Sequence, residues 1–206
     1  MKKLTLIFIP FFLIAIGCKK DGTGTPTQNN PPTTTKTNPT DTTTTPVNPT
    51  QPKSYSLTET FEKGTKDAYA PANVTLSSGV WYFDEALIGR TDKDIINGKA
   101  SARMNFGLCW ITMMFDVSGL NQFSFKYSLG MPHQVMMSTD GGNTWSQLSN
   151  EITTGNADTG FYTATFKITT SAKVRFKIVQ PTNGNRGNID DITFVGNGDP
   201  GFTLNN

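Results

Sequence analysis

The chain has 206 residues, with 18 Lys and Arg against 16 Asp and Glu, one His and two Cys. A net charge of +2 with no basic stripe excludes a nucleic-acid backbone as partner, and a single histidine leaves little for metal or acid–base chemistry. With one cysteine assigned to the N-terminal signal below, Cys109 has no partner, so the fold must rest on its core rather than on a disulfide framework.

Met1-Lys2-Lys3 supplies a positive start, and Leu4 to Ile16 form an apolar run that contains Pro10. That run is well short of the roughly 20 residues a helix needs to cross a bilayer, so residues 1–17 read as a cleaved export signal. Ala15-Ile16-Gly17-Cys18 resembles the lipobox of bacterial lipoproteins, with Ala15 where leucine is usual. The resemblance implies that Cys18 carries lipid, becomes the new N-terminus and holds the protein to a membrane through acyl chains. Lys19-Lys20-Asp21 is similar to the short tags that send some lipoproteins to the outer face of the outer membrane. A cell-envelope location with lipid in the outer membrane is therefore expected, facing outward or into the periplasm.

From Gly22 to Lys53 the chain is almost wholly Thr, Pro, Asn and Gly, without the apolar residues that would offset the entropy cost of ordering it. Residues 18–53 read as a lipid-anchored, disordered Thr/Pro linker. Such a segment reaches up to roughly 100 Å at about 3.1 Å per residue. Asp41-Thr42-Thr43 also resembles an Asp-Thr-X glycosylation acceptor, so a glycosylated stalk and a bare linker both stand.

Beyond Ser54 the pattern changes to period two. Phe123, Phe125, Tyr127 and Leu129 alternate with Gln122, Ser124, Lys126 and Ser128. Tyr162 to Ile168 and Lys173 to Ile178 repeat it, and shorter runs begin at Leu57, Val74, Val80, Ser101, Leu108, Val135 and Ile189. Short strands separated by turn signals predict an all-β fold over residues 54–195, a jelly-roll β-sandwich. Residues 196–206 are rich in Gly and Asn and are expected to fray.

Phe61-Glu62, Val74-Thr75-Leu76, Ala86-Leu87-Ile88-Gly89, Phe115-Asp116-Val117-Ser118-Gly119 and Asn188-Ile189-Asp190-Asp191-Ile192 together resemble a jelly-roll, galactose-binding-like module. The resemblance implies a secreted or surface-displayed binding domain. Ser138-Thr139-Asp140-Gly141-Gly142-Asn143-Thr144-Trp145 fits the Asp-box, a hairpin device in which Ser138, Asp140, Gly142, Thr144 and Trp145 serve the turn.

Three constellations bear on chemistry. Glu59 and Glu62 on the first strand, with Asp190 and Asp191 on the last, are the candidate ligands for a structural Ca²⁺, provided the terminal strands lie side by side. Related modules hold calcium with an early Glu and a late Asn-x-Asp, which Asn188 and Asp190 match; solvated edge carboxylates are the alternative. A sugar surface needs outward aromatic rings flanked by amides and charges. With Ile111, Met113 and Phe115 inward, Trp110, Thr112 and Met114 face out, and Gln122, Lys126, Gln134, Met136, Arg175 and Lys177 are expected to face outward too and to share that sheet. Trp81 and Trp145 read as core or hairpin packing. Catalysis finds no signature, since His133 sits in a turn beside Pro132 and Cys109 lies among core neighbours. The expectation is a non-catalytic module that binds carbohydrate near Trp110, or alternatively one that docks on another envelope protein.

Overall fold

Alternating apolar and polar residues give a strand one dry and one wet face, and β7 (Leu120–Ser128) and β12 (Arg175–Gln180) follow this rule. Phe123 and Phe125 of β7 and Phe176 and Ile178 of β12 are fully buried, with Gln122, Lys126, Arg175 and Lys177 at the alternate positions. The Phe123 and Phe176 rings stack with centroids 3.9 Å apart, closing one sheet onto the other.

The structure, a computed structural model, describes residues 52–205 except 129–130, 132, 149–151, 157–159 and 184. The expected signal sequence, Cys18 and the linker as far as residue 51 lie outside the described residues. The remaining strands are β1 (Ser54–Glu59), β2 (Ala72–Leu76), β3 (Gly79–Asp84), β4 (Ala86–Gly89), β5 (Ser101–Met104) and β6 (Cys109–Met113). They continue with β8 (Gln134–Ser138), β9 (Ser146–Gln147), β10 (Ile152–Asn156), β11 (Phe161–Lys167) and β13 (Gly187–Asn197). Among the described residues there is no helix.

All pairings between the strands are antiparallel and make two sheets. The first has the order β10-β11-β7-β13-β5-β4, with β1 also on β13, and the second the order β2-β3-β6-β12-β8-β9. The chain passes from one sheet to the other between β1 and β2, β3 and β4, β5 and β6, β6 and β7, β7 and β8, β9 and β10, β11 and β12, and β12 and β13. The resulting orders β5-β13-β7-β11 and β6-β12-β8-β9 are those of a jelly roll, the expected architecture.

The first and last strands do lie together: β1 runs along β13 from Ser54 opposite Asn197 to Glu59 opposite Ile192. Further along β13, Gly187 to Ile189 pair with β5 instead. The change of partner falls on Asp190 and Asp191, where the register against β7 shifts and Asp191 adopts φ 46°. A bulge of this kind re-aims side chains, and aspartate tolerates the left-handed backbone better than most residues.

The C-terminal segment departs from expectation. The Gly- and Asn-rich composition of residues 196–206 predicts fraying, yet β13 continues to Asn197 and Phe202 packs on Phe115 and Phe194 with centroids 5.1 and 5.4 Å away. Backbone bonds from Ser118 N to Pro200 O and from Asn205 N to Ser77 O hold the segment down. One buried-facing ring outweighs a Gly- and Asn-rich composition.

Candidate functional site

An open groove lies on the outer face of the second sheet. Strand register aligns Tyr82, Thr112, Lys177 and Met136 across β3, β6, β12 and β8. The next row holds Asp84, Trp110, Val179 and Gln134. These positions alternate with the buried set Trp81, Phe83, Ile111, Phe176 and Ile178, so they face away from the core. A groove of about 310 Å³ runs over them, lined by Tyr82, Trp110, Thr112, Trp145, Arg175 and Lys177.

Trp145 arrives from the turn between β8 and β9, and the sequence of that turn fixes where the ring sits. Ser138 Oγ donates to Asp140 Oδ1 at 2.7 Å and accepts from Gly142 N at 2.8 Å. Asp140 also accepts from Thr144 N at 2.9 Å and from Thr144 Oγ1 at 2.6 Å. The Thr144 hydroxyl and amide, with the Ser138 hydroxyl, hold the Asp140 carboxyl down to about 2. Trp145 Nε1 donates to Gly142 O at 3.0 Å, so the indole is tied to the loop by its polar edge and presents its face to the groove.

Lys177 Nζ lies 4.7 Å from the Trp145 ring centroid and 5.8 Å from that of Trp110, a cation held against two aromatic faces. It makes no hydrogen bond or ion pair among the described residues. Arg175 differs, since its Nε donates to Asp116 Oδ1 at 2.7 Å. Thr112 on the groove lining is 7% exposed, and its Oγ1 is buried with no hydrogen-bond partner among the described residues. Buried hydroxyls are nearly always paired, so this one marks a place where the protein alone does not complete the bonding.

Of the residues expected on this face, Trp110, Gln134 and Arg175 are there, and Gln122 and Lys126 are not. The latter two face outward as read, but from β7, which belongs to the opposite sheet. Strand parity gives the side of a residue and carries no information on which sheet its strand joins. Lys177, expected outward beside Arg175, lines the groove too, and Tyr82 completes it; the alternation of Tyr82 with Trp81 and Phe83 was the available signal for that residue. Trp145, read as hairpin packing, also lines the groove, whereas Trp81 is fully buried as expected.

The outer face of the first sheet is built differently. The connection between β4 and β5 lies over it, and its polar groups are paired with those of β13. Ile95 N donates to Asn188 Oδ1 at 3.1 Å and Asn97 N to Asp190 Oδ2 at 2.8 Å. Asn188 Nδ2 donates to Asp94 Oδ1 at 3.1 Å and to Ser101 Oγ at 2.9 Å. Asp94, with a fully buried carboxylate, forms a salt bridge with Arg103. Burial alone would raise the Asp94 carboxyl; the Arg103 guanidinium, the Thr91 amide and hydroxyl and the Asn188 amide outweigh it and hold the group well below the usual carboxylate range. Asp190 is completely buried and makes no ion pair among the described residues. Burial, reinforced by the charges of Asp191 and Glu62 against the opposing bonds from Asn97 N and Asp191 N, pushes its carboxyl up to about 7. Gly98, at φ 111°, passes so close to Glu62 that a Cβ there would meet Oε1 at 2.3 Å.

The four carboxylates expected to hold Ca²⁺ do not make one cage. Glu59 accepts from Phe61 N at 2.8 Å, Ser78 N at 2.7 Å and Ser78 Oγ at 2.8 Å, and Ser78 Oγ in turn accepts from Trp81 Nε1 at 3.0 Å, so Glu59 pins a buried turn. Asp191 Oδ2 takes the Lys126 ammonium at 2.7 Å and the Asn97 amide at 2.6 Å. An ammonium thus stands where a cation would be drawn. Among the described residues no group of three or more Asp, Glu, His or Cys side chains is arranged to hold a metal ion, and calcium asks for six to eight oxygens. The donor set does not fit Ca²⁺.

His133 packs edge-on against Phe125 and Tyr127, at 5.1 and 4.4 Å between centroids. Burial pushes the Cys109 thiol up to about 12, which suits a packed side chain and not a nucleophile.

No protein-family model matches the chain, and no curated protein matches it. Two solved structures are similar at the level of the chain trace. One is the K2 cleaved adhesin domain of Lys-gingipain, at a TM-score of 0.48 and 16% identity over 68% of this chain and 97% of that one. The other is the carbohydrate-binding module TmCBM61, solved with β-1,4-galactotriose, at a TM-score of 0.38 and 14% identity over 57% of this chain and 86% of that one.

Proposed function

We propose that this protein is a non-catalytic binding module of the cell envelope whose groove on the second sheet takes carbohydrate. Lipid on Cys18 would hold it to the outer membrane, and the Thr/Pro segment would lift the β-sandwich away from that surface. The observation that carries the reading is the groove itself, in which Trp110, Trp145 and Tyr82 stand around polar groups, Lys177 and the Thr112 hydroxyl, that have no hydrogen-bond or ionic partner among the described residues. Indole and phenol faces pack on the apolar face of a pyranose, and free donors read its oxygens. Lys177 lies over the rings on a flexible stem and can swing aside to admit a sugar.

The test is a glycan array probed with the full chain in detergent. A defined subset of glycans is expected to bind, and Trp110→Ala should lose it while the far-ultraviolet circular dichroism stays unchanged. An array without hits, or hits indifferent to Trp110→Ala, would overturn the reading. A second reading, docking on another envelope protein, draws support from Phe106 and Leu108 in the turn between β5 and β6, which are 68% and 48% exposed. A silent array together with one stoichiometric protein partner would favour it.

A further inference from the structure

Resting on the carbohydrate reading of the groove, we infer that its ligand is an acidic sugar, a uronic-acid unit whose carboxylate is taken between Lys177 Nζ and Thr112 Oγ1. Lys177 and Thr112 are directly opposite one another on β12 and β6, so their Cβ atoms stand about 5 Å apart on one face. Among the described residues one is a cation without a counter-anion, and the other, a residue 7% exposed, carries a buried hydroxyl without a hydrogen-bond partner. A carboxylate has two oxygens and accepts from both at once.

The neighbouring charges leave this position unneutralised. Asp116 is committed to Arg175 by a 2.7 Å ion pair, and Asp84, opposite Trp110 in the adjoining row, makes no ion pair with Lys177. The aromatic faces now stand in for the missing anion, at 4.7 and 5.8 Å from Nζ. An exposed cation–π contact is weaker than a hydrogen bond to a charged group. A carboxylate therefore draws the ammonium off the rings and frees those rings to stack on the sugar. A neutral hexose has to displace the ammonium from the same faces without offering it an anion in exchange.

The experiment compares a galacturonic-acid tetramer with its methyl ester, which has the same rings and no charge, by calorimetric titration into the full chain in detergent. The acid is expected to bind at least about tenfold more tightly at low salt, with the preference shrinking as ionic strength rises. Lys177→Met should bring acid and ester to equal affinity, and Lys177→Arg should restore the preference. If ester and acid bind equally to the unaltered chain, or if Lys177→Met retains the preference, the acidic-sugar inference fails while the carbohydrate reading survives. If neither tetramer binds and neutral glycans on the array bind in a Trp110-dependent way, the inference again fails alone. If no saccharide of either kind binds, both fail together.

Discussion

The two outer faces of the sandwich use their polar and charged side chains in opposite ways. On the first sheet a loop lies over the strands and Asp94, Asn188, Asp190 and Asp191 are tied to Arg103, Lys126 and backbone amides. On the second sheet Lys177 and Thr112 are left without such ties, between rings that no loop of the described residues covers completely. The first arrangement consumes polar groups to hold a loop on a sheet. The second leaves them without partners among the described residues.

The comparison can be broken first by removing one cation from each face. Arg103→Met strands the buried Asp94 carboxylate and is expected to cost about 3 kcal/mol in urea-induced unfolding. Lys177→Met, on the open face, should change stability by no more than about 0.5 kcal/mol. Equal losses from the two substitutions would mean that the faces do not differ as described.

The pH dependence sharpens the covered face. An unfolded aspartate titrates near about 3.9, and the folded Asp190 carboxyl is pushed up to about 7 by burial. Between these values the folded chain holds a proton that the unfolded chain has lost. The contribution of Asp190 is therefore complete below about pH 4, declines as pH rises and is gone above about pH 7. Asp94 runs the other way, its contribution being complete above the unfolded pKa and lost only in strong acid. The thermal midpoint of Asp190→Asn minus that of the unaltered chain should rise from pH 5 to pH 8, and a flat difference would contradict the assignment.

What the sequence made legible follows from the physics each signal carries. Period-two alternation at Phe123, Phe125, Phe176 and Ile178 identified the strands and their dry sides, because burial depends on the residue itself. It also placed Trp110 outward. The error at Gln122 and Lys126 arose because sheet membership depends on long-range pairing, which no local pattern encodes. The carboxylates were read as one set because β1 and β13 were expected to adjoin, and they do. Which oxygens are already occupied, at Glu59 by Ser78 and Phe61 and at Asp191 by Lys126, depends on a turn and on a third strand. Trp145 was assigned to its hairpin because its neighbours in sequence explain it fully; its second role comes from β6 and β12.

The most direct measurement is intrinsic tryptophan fluorescence of the full chain titrated with the strongest ligand on the glycan array. A saturable change on binding is predicted, weakened roughly thirtyfold in Trp145→Ala, as expected when a central tryptophan worth about 2 kcal/mol is removed. A saturable signal that survives unchanged in both Trp110→Ala and Trp145→Ala, with either fold intact, would contradict the placement of the binding site in this groove.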